Sequence, residues 1–347
     1  MRTTLRDVAE LAGVSPKTVS NVVNGYVHVR ASTRSRVEEA IATLNYRPNL
    51  SARSLRRGRT GVIALAVPEL DVPYFAELAR HLVSEADRHG WTVLVDQTEG
   101  VQERERQIIG GLRDQLIDGL ILSPLALTVG DLAARTDSTP MVLLGERIHN
   151  GPADHVVIDN VAAARDATAH LIGLGRTRIA AIGAQEVPEG MTARVRLEGY
   201  RRALAEAGLP YDERLVVPTD RFDRADGAAA MAALLDRSPR PDAVFCFSDV
   251  LALGVLRTLA ERGVRVPEDV AVVGFDDIQD GRYSVPTLST ISPDKQQIAR
   301  VAVDLLNQQV VRGGSGQADA AGPQEIFASY TLKARESTLG RSGGGPS

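Results

Sequence analysis

The sequence predicts a small all-α head carrying a helix-turn-helix, joined by a short segment to a larger α/β body of two doubly wound parallel-sheet lobes. Three observations predict this. The 347 residues are too many for one ordinary core, so at least two domains are expected. Helical periodicity fills residues 5 to 44. Beyond residue 61, short apolar β-branched runs alternate with amphipathic helical patterns, which means parallel sheets covered by helices on both faces. The expected boundaries are 1–48 for the head, 49–60 for a hinge, 61–340 for the body, and 341–347 for a Gly/Ser-rich disordered tail.

The head opens with Leu5, Val8, Ala9 and Ala12 on one helical face, capped by Thr4 with Asp7 at the capping-box position. Gly13-Val14-Ser15 makes a tight turn. Ser15 is a good N-cap, and Pro16 suits the first position of a second helix that Asn24-Gly25 stops. That helix turns Val19, Val22 and Val23 inward and shows Lys17, Ser20, Asn21 and Asn24 on its opposite face. A third helix spans about Ser32 to Leu44, with Val37, Ala40, Ile41 and Leu44 inward.

Charge separates the head from the rest. The chain carries a net -4, yet residues 1–60 hold eleven Lys+Arg against four Asp+Glu. A basic head on an acidic body suggests that only the head meets a polyanion. The side chains suit duplex DNA. Lys17 can donate to guanine or phosphate, Asn21 can pair with adenine, and Thr18 and Ser20 can donate to phosphate. The alternative, a plain structural bundle, leaves the positive charge unexplained.

Residues 49 to 57 read Asn-Leu-Ser-Ala-Arg-Ser-Leu-Arg-Arg, with three arginines and no acid. So short a segment is not a stable isolated helix. It is expected to order on DNA, where phosphates neutralise Arg53 and Arg56.

The body's expected strands are Val62–Val67, Thr92–Val95, Gly119–Leu122, Met141–Leu144, Val156–Ile158, Ile179–Ile182, Ala243–Phe247 and Val270–Phe275, with helices such as Tyr74–Arg88 and Val161–Leu174 between them. Two groups of strands suggest two similar lobes, with crossovers near 159 and 290. Ligands of such sheets bind beyond the C-terminal strand ends. There lie Glu69, Asp71, Tyr74 and Phe75 after Val67; Asp96 and Gln97 after Val95; Glu146 and Arg147 after Leu144; Ser248 and Asp249 after Phe247; and Asp276 and Asp277 after Phe275. Carboxylates and arginine beside aromatic rings suit a polyhydroxylated ligand, whose apolar faces the rings cover while the charges take its hydroxyls.

The run from Thr4 to Gly25, TLRDVAELAGVSPKTVSNVVNG, together with Val37 to Asn49, resembles the head of the lac repressor family. The likeness continues across the body to about residue 339, where the sequence is similar to that family's periplasmic-binding-protein-like effector domain. The resemblance implies a sequence-specific transcription regulator, a homodimer on a pseudo-palindromic operator, and release of that operator by a small, sugar-like effector. A corepressor such as a purine is the alternative. It implies that Pro16, Lys17 and Asn21 face bases, and that Leu55 wedges into the minor groove at the operator centre. It also implies effector roles for Tyr74, Phe75, Arg196, Phe222 and Asp276, with Ser248 where several members have asparagine. Bland readings stand beside these: Arg196 as a helix ion pair, Phe222 as core, and Tyr74 or Phe75 as a hydrophobic staple.

Other classes are disfavoured. None of the three lysines follows a glycine, so no Walker A motif exists. Gly173-Leu174-Gly175 reads as a helix end, and no nucleophile elbow occurs, so neither an enzyme nor a cofactor is expected. The six histidines include no pair four apart, which argues against zinc. Cys246 is the lone cysteine, expected buried in an apolar run, and the N-terminus lacks an apolar secretory core. With no run of about 18 apolar residues, no membrane span is expected. A cytoplasmic location fits. Gly313-Gly314-Ser315-Gly316 is expected to be a loop.

Overall fold

The structure is a computed structural model that describes residues 3–23, 26, 28–46, 59–111, 116–185, 190–238, 240–315 and 322–340. The chain divides into two compact units, Met1–Thr60 and Gly61–Ser347.

The head contains α1 (Leu5–Ala12), α2 (Pro16–Val23) and α3 (Ala31–Thr43). Thr4 and Asp7 form the full capping box on α1, and Gly13 closes it at φ 62°, a left-handed turn that glycine takes without strain. Ser15 accepts from the Thr18 amide at 3.1 Å and so starts α2. The inward rows meet in one core of Val8, Ala9, Ala12, Val19, Val22, Val37, Ala40 and Tyr46. Ile41 and Leu44 pack at its edge.

The body holds two six-stranded sheets of the same winding. In chain order the first half comprises β1 (Val62–Val67), α4 (Pro73–Arg88), β2 (Thr92–Gln97), α5 (Gln102–Ile109), β3 (Gly119–Leu122), α6 (Val129–Ala133), β4 (Met141–Leu144) and β5 (Asp154–Ile158). The second comprises α7 (Asn160–Gly173), β6 (Ile179–Ala184), α8 (Met191–Glu206), β7 (Val216–Pro218), α9 (Arg224–Leu235), β8 (Ala243–Cys246), α10 (Asp249–Glu261), β9 (Ala271–Phe275), α11 (Gln279–Tyr283) and β10 (Ser289–Pro293). Then come α12 (Lys295–Ser315), β11 (Glu325–Ala328), β12 (Tyr330–Lys333) and α13 (Glu336–Leu339). The sheet orders are β11-β5-β4-β3-β1-β2 and β12-β10-β9-β8-β6-β7.

Four differences from the sequence reading have physical causes. First, the chain passes between lobes three times: after β5, after β10, and between β11 and β12. The third passage was not expected, because β11 and β12 are single edge strands whose partners lie about 170 and 40 residues back in the chain. Second, β12 runs antiparallel to β10, so the second sheet is not wholly parallel. Third, β2 continues through Asp96 and Gln97, held in register with Ala66 and Val67, so these two residues end a strand instead of following one. Fourth, Gly313 to Ser315 belong to α12 and not to a loop. That helix is held by a buried row of Ile298, Ala302, Leu305, Leu306 and Val310, and this packing outweighs the weak helix preference of its last turn. Gly316 and the tail 341–347 lie outside the described residues.

Candidate functional site

In the head, the exposed side of α2 is the candidate nucleic-acid face. Pro16 and Lys17 are exposed, and Thr18, Ser20 and Asn21 are half-buried, while Val19 and Val22 of the same helix are in the core. The 3.6-residue period of an otherwise apolar-in helix brings this about. Thr4 and Ser15 have structural duties: Thr4 Oγ1 accepts from the Asp7 amide, and Ser15 Oγ lies 2.9 Å from Thr18 Oγ1. Asn24, Arg53, Leu55 and Arg56 lie outside the described residues.

In the body, a cleft of about 670 Å³ opens where both sheets present their C-terminal strand ends. It lies within the usual size of small-molecule sites. Asp71, Tyr74, Phe75, Glu146, Arg147, Arg196, Phe222, Ser248 and Asp276 all line it. Each of these is an effector residue expected from the sequence, and the fold draws them together from both lobes.

Arg196 anchors the cleft floor. It is 6% exposed, donates Nε to Asn160 Oδ1 at 3.0 Å, and donates another N–H to the Phe247 carbonyl. Its guanidinium stacks 3.5 Å from the Phe275 ring centroid and lies 3.8 Å from Asp276 Oδ1. The helix ion-pair reading of Arg196 is therefore replaced by a buried, stacked one.

Asp276 and Asp277 turn the chain after β9 at φ 114° and 47°. Left-handed geometry at two successive non-glycine residues is strained, and such strain collects at functional sites. Burial pushes the Asp276 carboxyl up to about 6, against the opposing pull of Arg196 and Lys295. Asp277 turns away from the cleft to meet Arg335, Arg282 and Ser292. Asp249 is fully buried, accepting from Thr290 Oγ1 and the Ile278 amide, and burial raises its carboxyl well above the ordinary range. It braces the turn from behind.

Glu146 belongs to the first lobe, yet accepts from Asn160 Nδ2 at 2.6 Å and from Thr192 Oγ1 at 2.7 Å. Ser248 is the N-cap of α10. Arg147 donates to the Leu127 and Ala126 carbonyls. Tyr74 and Phe75 meet edge to face, their centroids 5.3 Å apart, with both rings on the cleft wall. Burial raises the Tyr74 phenol, which keeps it a neutral donor.

Sequence reasoning places Asp159-Asn160 at a lobe crossover but misses three connections here. Asn160 joins Glu146 to Arg196. Glu77 accepts from Lys295 Nζ at 2.6 Å and from the Gln279 amide at 2.8 Å, tying α4 to α11 and α12. Arg221 meets Glu69 across the cleft mouth. No local pattern marks these pairs, whose members lie up to 218 residues apart. Cys246 is buried, and burial raises its thiol, as its apolar run implied. Among the described residues, no helix is long and apolar enough to cross a membrane.

Two family models match the chain: "Bacterial regulatory proteins, lacI family" over residues 4–49, and "Periplasmic binding protein-like domain" over residues 168–338. Among curated relatives, the HTH-type transcriptional repressor PurR of Aliivibrio fischeri (strain MJ11) is 33% identical over 311 residues, covering 88% of this chain and 91% of that protein. Among solved structures, the transcriptional regulator CelR in complex with cellobiose is 34% identical, with a TM-score of 0.69 over 97% of this chain and 100% of that one. The lac repressor dimer bound to operator and the anti-inducer ONPF is 29% identical, with a TM-score of 0.83 over 98% of this chain and 100% of that one.

Proposed function

The chain belongs to the lacI family of bacterial regulatory proteins, and from that premise we propose that it is a homodimeric, cytoplasmic repressor of carbohydrate-utilisation genes, released from its operator by a sugar-like effector. That it is a DNA-binding transcriptional regulator and not an enzyme follows from the family. The sugar, the repression and the dimer are the proposal.

One observation carries the effector reading. Two lobes converge carboxylates, arginine and aromatic rings on one cleft, and its polar groups are tied into a network that spans both lobes. Ionised Asp276 accepts hydroxyls, Arg196 donates, and Tyr74, Phe75 and Phe222 supply flat apolar walls. The similar CelR was solved with cellobiose, which supports the same ligand class here.

A bound effector changes the angle between lobes, because Glu146, Glu77 and Glu69 each join one lobe to the other. The changed angle alters the spacing of two hinge segments, each holding Leu55, in the dimer. A coupling of roughly 1–3 kcal/mol changes operator affinity about 5- to 150-fold. The second reading, a purine-like corepressor that tightens binding, draws its support from the similar PurR repressors.

Fluorescence anisotropy of a labelled pseudo-palindromic duplex, titrated at fixed salt with mono- and disaccharides and with purines, tests this. Release by a sugar is the expected result. Tightening by any compound reverses the sign, and a duplex bound only at the non-specific level removes the repressor reading for that operator class.

A further inference from the structure

At the outer edge of the first sheet, two histidines and a glutamate converge on one point. His155, on β5, is buried; His149, in the loop between β4 and β5, is exposed; Glu325 opens β11 beside them. His155 Nδ1 lies 3.1 Å from Glu325 Oε2, and His149 Nδ1 lies 3.3 Å from Oε1. One ligand atom from each of the three falls within 4.8 Å of the others.

We propose that His149, His155 and Glu325 form a divalent transition-metal site of the zinc class. Three features of the geometry carry this. The first is spacing. Ligands held at about 2.0–2.1 Å around a tetrahedral ion stand roughly 3.3 Å from one another, and each histidine nitrogen comes to 3.1 or 3.3 Å from its own oxygen of Glu325.

The second is orientation. His155 is 2% exposed, and its ring is held between two oxygens, the Gly145 carbonyl at Nε2 and Glu325 Oε2 at Nδ1, so Nδ1 is fixed facing the carboxylate.

The third is the supporting shell. A metal-bound histidine nearly always donates its far N–H to a carbonyl or carboxylate, and a metal-bound carboxylate is itself hydrogen-bonded. His155 has the Gly145 carbonyl, and Glu325 accepts from the Asn150 amide at 3.2 Å. Two nitrogens and one carboxylate select zinc, nickel, cobalt or copper over magnesium or calcium. Exposed His149 leaves access from solvent and room for water as a further ligand. The ion would clamp the loop that starts at Gly145-Glu146-Arg147 onto β11.

The test uses the full-length, tag-free protein, stripped with a chelator. Zinc is titrated by calorimetry and cobalt by visible absorption. The expected result is one ion per chain, with tetrahedral cobalt bands. His149→Ala and Glu325→Gln should each weaken zinc at least about tenfold. His89→Ala, whose partner is Asp304, should leave it unchanged. Circular dichroism checks that the variants fold, and exposed His149 is the safer of the two. No saturable binding by the wild-type protein overturns the site. Equal affinity in wild type and His149→Ala overturns it as well. Neither result bears on operator binding, so the repressor reading stands or falls separately.

Discussion

Arg196 meets Asn160, the Phe247 carbonyl, the Phe275 ring and Asp276 at once. Removing it leaves a buried carboxylate without its main cation. Arg196→Ala is expected to destabilise the body by about 3 kcal/mol and to abolish the effector response. Arg196→Lys should not rescue it, because an ammonium can neither stack flat nor fork. Thermal melts and effector titrations read both effects. Asp276 gives a pH signature. Its folded value of about 6 lies above the ordinary 3.8, so the folded state favours the neutral acid. That stabilisation is fully present below about pH 4 and is lost as pH rises through about 6. A neutral polyol needs the ionised form, so effector affinity should fall below pH 6, approaching roughly tenfold per pH unit. Asp276→Asn should flatten the profile; a flat wild-type profile would take Asp276 out of the binding step.

Helix pairs in the second lobe are built on bare backbone contacts. A Cβ on Gly254 of α10 would lie 2.0 Å from the Arg224 carbonyl oxygen, and one on Gly227 of α9 would lie 2.1 Å from that of Leu251. Neither carbonyl can move aside as a side chain could. Gly254→Ala should therefore lower the melting point of the body by an amount matching roughly 1–3 kcal/mol, while the head melts as before. In the head, Thr4→Ala removes the Oγ1 that caps α1 and should cost about 1 kcal/mol. Amide exchange localised to α1 would show it. The periodicity of α1, α2 and α3 was legible because each helix has one apolar face. The end of α12 was not, because Gly313 to Ser315 follow a helix whose hold on the sheet a local window does not see.

At the scale of the whole chain, the excess of basic residues is gathered in residues 1–60. Operator affinity should fall linearly with salt on a log–log plot, with a slope of about 0.9 per phosphate contact. Lys17→Ala should relax base preference at one operator position. If it instead lowers affinity uniformly and reduces the slope by about one, Lys17 contacts phosphate. Three passages of chain connect the two lobes beside the cleft. Glu77→Ala removes the acceptor shared by Lys295 and the Gln279 amide, and should change the effector response more than operator affinity without effector.

The helical head and the two-lobed α/β body were legible in local patterns, and so were the strand ends that line the cleft. Side-chain period and strand ends are local properties. Tertiary structure alone decided the third crossover and the antiparallel β12, because edge strands owe their place to partners far away in the chain. It alone joined Asn160 to Glu146 and Arg196, and it set His155 against Glu325 from 170 residues away. Such pairs form because folding buries polar groups that must then find partners. Where those partners come from is fixed by the winding of the sheets, which no window of sequence contains.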